Sequence, residues 1–379
     1  MTRFLFVTWD GGGNVAPAVE IVRELQHRGD QVGFLGQEQQ REALVRAGFE
    51  FDAYGSPGSW TASGRGGALK NALGFLALLT GRSLGRDLIM TIDKSPTDMV
   101  VIDCLLFGVL DAASRARVRH TVLVHSFYEA IDKKMAGGAP GAVAKLVGLN
   151  PRKLWAKADL MVVATLEELD DRPHPKSRIS VAYSGPTLPE IRETDRPSAI
   201  PTILVSLSTT SIPGQGKVLQ NILDALADLP VRALVTTGPA VDPAEVHAPP
   251  NSEVHRYLPH AEIMSDVSLV IGHGGHSTTM LALAHGLPLL ILPMNPAFDQ
   301  AIVGIAIQAK GAGLILSSGS SMGEIRHATE RMLASETFSR EAERLGVAIR
   351  ATRGTETAAD LLQALEQQDP AHHKRGLQH

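Results

Sequence analysis

The stretch His273-Gly274-Gly275-His276-Ser277-Thr278-Thr279 lies between an apolar run, Val267–Ile271, and a segment with helical spacing, Thr278–His285. The run is short, apolar and bounded by glycine, so it reads as a buried strand. A strand that passes through glycines into a helix gathers free backbone N–H groups and the positive end of a helix dipole at one point. That point attracts a phosphate. His273 and the hydroxyls of Ser277, Thr278 and Thr279 add side-chain donors to the same anion. A diphosphate leaving group is the natural guest. The region closes at Pro293 and Asp299-Gln300.

Outward from this turn, short apolar runs alternate with amphipathic stretches, the pattern of a parallel sheet with crossover helices. In the first half, Arg3–Thr8, Gln31–Leu35, Phe49–Ala53, Met99–Ile102, Thr121–Val124, Leu160–Val163 and Ile179–Ala182 read as strands. Val15–Arg28, stopped by Gly29, and Glu38–Ala47 read as helices. Residues 56–67 are rich in Gly and Ser and read as a long loop around Trp60. The proline-rich segment Pro186–Pro201 is the linker candidate, after which the pattern restarts. Thr202–Ser206, Arg232–Val235, Glu253–His255, Val267–Ile271 and Leu289–Leu292 are strands, with helices at Gly216–Leu226 and Phe298–Gln308. Met322–Leu333, Ser339–Ala351 and Thr357–Gln367 read as the final helices. The expected division is an N-terminal domain over residues 1–190, a C-terminal domain over 201–365 and a polar tail over 366–379. Two doubly wound domains on one linker form a cleft where the carboxyl ends of their sheets face each other.

Composition agrees with this division. A chain of 379 residues is long enough for two ordinary domains. Hydrophobic content of 44% with 20% charge is that of a globular protein, and a net charge of −4 argues against nucleic acid as partner. The one cysteine, Cys104, cannot form an internal disulfide, so a reducing cytoplasm is the simple expectation. Arg3–Trp9 is too short for a signal h-region, and no apolar run reaches membrane-spanning length. Leu69–Leu79 comes closest and reads instead as an acceptor-site or interface candidate, compatible with a homodimer.

The chain resembles the GT-B glycosyltransferases of family 1, especially bacterial enzymes that glycosylate natural products, over nearly its whole length. Its most specific part is His273-Gly274-Gly275, Thr278-Thr279, Gly286-Leu287-Pro288, Pro293 and Asp299-Gln300, similar to the family's donor-site signature. Val205-Ser206-Leu207-Ser208-Thr209-Thr210 looks like the loop after the first donor-domain strand, and Tyr257-Leu258-Pro259-His260 like the segment that holds the nucleobase. The resemblance implies a metal-independent, inverting transfer with a nucleotide sugar as donor substrate, and no cofactor. Tyr257 would stack on the pyrimidine while the Leu258 backbone bonds its edge. His273, Ser277, Thr278 and the Gly275 amide would hold the diphosphate, with Ser208 and Thr209 closing over it. Asp299 and Gln300 would bind the sugar hydroxyls, Asp299 also being placed to cap its helix. The family often carries Glu where this chain has Leu281, and its carboxylate grips the ribose. An apolar residue costs least with deoxyribose, so a dTDP-sugar is expected ahead of a UDP-sugar.

The acceptor half departs more sharply. The family usually reads Gly-His-x-x-Pro after the first strand, and that histidine is the general base. Here the residues are Gly13-Asn14-Val15-Ala16-Pro17, and asparagine has no basic nitrogen. The partner carboxylate survives as Asp103, which is the first candidate to take the proton, with Asn14 orienting the acceptor and capping the following helix. Asp10, His125 and Asp299 are the other candidates. Alternatively the acceptor is acidic enough to need little base, or the protein only binds a nucleotide sugar or aglycone without turnover. The acceptor would be a hydrophobic aglycone, walled by residues 56–86 and those near His125–Tyr128, with Asp10, Trp60, Phe75, Ser126 and Phe127 in contact. A Rossmann oxidoreductase is the competing class, but Asn14 to Pro17 breaks its Gly-x-Gly-x-x-Gly pattern.

Overall fold

A computed structural model describes residues 1–55, 60, 68–170, 177–191, 200–208 and 212–367. The expected loop over residues 56–67, except Trp60, and Thr209 of the expected donor loop lie outside these, as does most of the tail.

Two all-parallel sheets carry the chain. The first holds β1 (Arg3–Val7), β2 (Gln31–Gly36), β3 (Glu50–Ala53), β4 (Met99–Asp103), β5 (His120–Val124), β6 (Leu160–Val163) and β7 (Val181–Tyr183), in the order β3-β2-β1-β4-β5-β6-β7. The second holds β8 (Thr202–Ser206), β9 (Arg232–Thr236), β10 (Ser252–His255), β11 (Leu269–Gly272), β12 (Leu289–Ile291) and β13 (Gly313–Ile315), in the order β10-β9-β8-β11-β12-β13. Strands β4 and β5 are buried at every position, which is why they read as unbroken apolar runs rather than alternating ones. In both sheets the winding reverses once, between β1 and β4 and between β8 and β11. Such reversals open a crevice at the carboxyl ends of the strands. Each half of the molecule therefore has its binding crevice fixed by strand order.

The crossover helices follow from spacing. In Val15–His27 the buried residues Ala18, Ile21, Val22 and Leu25 recur at helical intervals and form one apolar stripe. The helix stops where Gly29 takes φ +92°, with Gly29 N–H donating to Gln26 and Asp30 N–H to Leu25. Residues 68–94, without an assigned element from sequence, form two helices, Ala68–Thr80 and Arg82–Lys94. Strand β13 was also hidden, because Gly311-Ala312-Gly313 reads as a turn. Gly313 is required there: a Cβ would sit 2.2 Å from the Leu289 carbonyl of the neighbouring strand.

The final helix, Gly354–Gln367, corrects the division expected at residue 365. It leaves the second sheet and buries Ala358, Ala359 and Leu362 in the core of the first, with Phe4, Ile21 and Leu25. Arg28 clasps it through Asp360 Oδ1 at 2.5 Å and Gln363 Oε1 at 2.9 Å. The chain thus crosses between the halves twice. Among the described residues, no helix is long and apolar enough to cross a membrane.

Candidate active site

The donor half of the site is built at the β8/β11 reversal. After β11 the chain turns through His273-Gly274-Gly275 into the helix His276–Ala284, which starts two residues earlier than its spacing suggests. Gly274 has φ +83°, and a Cβ on it would meet the Gln300 carbonyl and Ile291 Cγ2, each at 2.8 Å. At Gly275 a Cβ would lie 2.6 Å from His273 Nε2. Both glycines are demanded by close approach, and together they let the His273 ring lie against the helix start. Burial lowers His273 to about 4, so at neutral pH it is a neutral ring that donates one hydrogen bond rather than a cation. Ser277 and Thr278 are half-buried in the first turn. Ser208, buried after β8, offers its carbonyl to Gln215 Nε2 at 2.7 Å.

Other donor-side residues are placed differently from one another. Tyr257 is 77% exposed, an open platform at the end of β10, with Leu258 beside it partly buried. Gln300 is buried, and its side-chain oxygen accepts from Met294 N–H at 2.7 Å and Asn295 N–H at 2.9 Å. It shapes the loop leading to Asp299 rather than presenting that oxygen to a sugar. Asp299 does not cap its helix with its side chain; Oδ2 accepts from Ser126 Oγ at 2.5 Å across the cleft. Burial raises the Asp299 carboxyl, against the lowering effects of Ser126 and His125. Leu281 packs in the apolar core among Leu283, Ile291 and Leu345 and offers no hydrogen-bonding group to a ribose.

The half expected to hold the acceptor forms at the β1/β4 reversal and overturns one expectation at once. Asn14 does not cap the helix that follows it. Its amide nitrogen donates to the Trp9 carbonyl at 3.0 Å and to Asp103 Oδ2 at 3.1 Å, while its oxygen accepts from Gly11 N–H at 3.1 Å. Asp103, 6% exposed, accepts from Leu105 N–H at 3.0 Å on Oδ1, and His125 Nδ1 stands 3.2 Å from Oδ2. Burial alone would raise the Asp103 carboxyl; His125 and the Leu105 N–H outweigh it and hold it below the usual carboxylate value. His125 shows the reverse. Burial would lower it, but Asp103 and then Asp299 hold it above its ordinary value. Cys104 is beside the pair, its thiol pushed well up by burial.

The acceptor wall is aromatic. Trp60 and Phe75 stand 5.2 Å apart between ring centres, Trp9 lies 5.5 Å from Trp60, and Phe298 packs edge-on to Phe75 at 5.9 Å. Phe298 belongs to the donor half, so both halves line this wall. Asp10 is half-buried, its carboxyl raised by burial, and its N–H donates to Gln37 Oε1 at 2.7 Å. Two expected acceptor contacts are corrected. Phe127 is fully buried in the core beneath the second half, edge-on to His276, and Ser126 is 2% exposed and committed to Asp299. Neither faces an acceptor. Both lie in the seam between the halves, where His276 Nε2 also meets Thr165 Oγ1 at 2.9 Å and Ser277 Oγ donates to the Gly13 carbonyl at 3.0 Å. Trp9, Phe298 and the His276–Thr165 contact were not anticipated; only the pairing of the two sheets brings them to the site.

Residues 220–365 match the C-terminal domain model described as erythromycin biosynthesis protein CIII-like. An uncharacterised glycosyltransferase of Methanosarcina acetivorans is 24% identical, the alignment covering 91% of this chain and 93% of that one. The 4′-demethylrebeccamycin synthase of Lentzea aerocolonigenes is 23% identical over 96% of this chain and 99% of its own. The solved structure of CalG4, the calicheamicin glycosyltransferase, superposes with a TM-score of 0.78 at 23% identity, covering 98% and 99% of the two chains. The two parallel-sheet domains give this protein the GT-B fold, and its relatives make it a glycosyltransferase. In sequence and fold it is similar to the family 1 enzymes of that class.

Proposed function

We propose that the protein moves a sugar from a nucleotide diphosphate donor, a dTDP-sugar ahead of a UDP-sugar, to a hydrophobic natural-product aglycone, with inversion and without a divalent cation. The observation that carries this reading is the contact of Ser277 Oγ with the Gly13 carbonyl at 3.0 Å. It joins the turn expected to hold the diphosphate to the loop after β1, so the crevices of the two sheets face each other. The acceptor oxygen bonds to the anomeric carbon on the face opposite the diphosphate, the carbon–oxygen bond to phosphate breaks, and the configuration inverts. Charge developing on the departing diphosphate falls on the N–H groups of the His276–Ala284 helix, on His273 and on the Thr278 hydroxyl, fixed donors where charge appears. Trp60, Phe75 and Phe298 favour a flat apolar acceptor. The absence of a carboxylate at Leu281 supports deoxyribose. Relatives named for rebeccamycin and calicheamicin chemistry support the aglycone class.

The test is a product screen crossing dTDP- and UDP-sugars with phenolic and polyketide acceptors, with and without EDTA. The expected result is an inverted glycoside of at least one apolar acceptor, unchanged by the chelator. Saturable nucleotide binding with no turnover and no donor hydrolysis would sink the enzymatic reading and leave a binding protein.

A further inference from the structure

Asp103 is engaged from three sides: Leu105 N–H on one oxygen, the Asn14 amide and the His125 ring on the other. Three of the roughly four acceptor positions of this buried carboxylate are already taken, and partners that stabilise its charged form make it a poor base for an acceptor hydroxyl. At the same carboxylate oxygen that Asn14 holds, however, a carboxylate–histidine pair is formed with His125. The geometry points to His125 as the general base of the transfer reaction, with Asp103 and Asn14 as positioning residues behind it. This rests on the glycosyl-transfer reading above.

Three observations support the assignment. First, Nδ1 faces Asp103 at 3.2 Å, which fixes the tautomer with the proton on Nδ1 and the lone pair on Nε2. Among the described residues no hydrogen bond engages Nε2, and the side chain keeps 16% exposure. Second, His125 directly follows β5 at the carboxyl end of the sheet, and the next residue, Ser126, touches Asp299 of the donor half. The imidazole therefore stands at the seam where both half-sites converge. Third, Asn14 spends its donor on Asp103 and the Trp9 carbonyl and its acceptor on Gly11 N–H, so it holds the carboxylate and cannot turn to a substrate without breaking that cage. In the step, Nε2 takes the acceptor O–H proton as that oxygen bonds to the anomeric carbon. The diphosphate leaves with the electron pair of the broken bond, and the imidazolium, balanced by Asp103, later returns its proton to water.

The groups facing His125 are Asp103 and the neutral Cys104 thiol from the end of β4, Asp299 from the start of the Gln300–Ala309 helix, and the neutral His276 from the helix after β11. The two carboxylates favour the imidazolium. Activity then falls as pH drops through a limb above the ordinary histidine value, because the base works only when neutral.

The experiment compares wild-type protein, His125→Gln and Asp103→Asn, using dTDP-glucose and UDP-glucose as donors and an unsubstituted phenol and 4-nitrophenol as acceptors. It reads kcat, the pH profile of kcat/KM, and the Kd for dTDP. His125→Gln is expected to lower kcat by roughly 10²–10⁴-fold with dTDP affinity unchanged, and to lose less with the acidic nitrophenol. Asp103→Asn is expected to move the acid limb to lower pH, a shift that a purely structural role would not produce. Wild-type kcat and an unmoved limb in His125→Gln overturn the base while leaving glycosyl transfer intact. If that variant loses dTDP binding, the Asp103→Asn limb decides, and an unmoved limb overturns the inference. A wild-type protein inactive with every pair overturns the transfer reading and the base together.

Discussion

The two crevices are made by the same topological device and filled by opposite strategies. At the β8/β11 reversal the work is done mostly by backbone: two glycines whose Cβ positions are already occupied, and a helix start with unpaired N–H groups. His273, the side chain at the turn before that helix, is neutral. At the β1/β4 reversal the backbone only supports a side-chain network, in which Asn14, Asp103 and His125 fix one another. A backbone site tolerates little change because glycine has no substitute. A side-chain network can be rewired, provided some member keeps each role. The asparagine in the loop after β1 is such a rewiring, with the basic nitrogen supplied by the loop after β5.

The contrast can be broken most sharply at His273. His273→Ala should cost about 10²–10³-fold in kcat/KM, the size typical of one lost donor to a developing oxyanion. Its acceptor KM should stay near the wild-type value. Steady-state kinetics with isothermal titration of dTDP check this, and unchanged nucleotide affinity and rate would show that the helix start alone holds the diphosphate.

Acid stability separates the halves next. Burial holds His276 at about 3 in the folded protein, below the unfolded value near 6.5. Its contribution is fully present above pH 6.5 and is lost as pH falls below it, because the unfolded chain then binds the extra proton. Between pH 6.5 and 5 the loss is about 2 kcal/mol for such a site. His125, held above its ordinary value, has the opposite sign: it stabilises below the unfolded value and loses that as pH rises through its folded one. Urea midpoints of wild type and His276→Gln across this range provide the measurement. The variant should show the shallower acid slope, and equal slopes would mean that His276 does not carry the effect.

The smallest expected effect is at the wall the halves share. Phe75→Ala removes ring contacts to Trp9, Trp60 and Phe298. An aromatic contact is worth about 1 kcal/mol beyond its buried area, so acceptor KM should rise roughly fivefold with the dTDP Kd unmoved. A matching rise for a small polar acceptor would argue that Phe75 supports the fold rather than the aglycone.

Much of this was legible in the chain. Strands such as Leu160–Val163 and Thr202–Ser206 announce themselves because they are buried on both faces and lack polar interruption. The turn at His273 was readable because glycine spacing and a helix start are local features. The helices over residues 68–94 and strand β13 were not, since their apolar and glycine content is ambiguous in period. Phe127 looked like an acceptor contact because an aromatic after a strand end commonly faces a crevice. The second half covers it instead.

Sequence by itself determined two parallel-sheet halves and the glycine turn from β11 into a helix, since both depend on residues close together in the chain. Only the tertiary structure decided the acceptor side. Asp103 lies opposite Leu123 in the β4/β5 register, which puts His125 just past the strand end beside it, although no short-range pattern links the two residues. Asn14 arrives from a third strand, the Asp299 carboxyl from the other sheet, and the last helix returns to the first half. These are long-range juxtapositions set by strand order and by the docking of two sheets. A proton acceptor is defined by its neighbours, and the neighbours here are brought together by the fold.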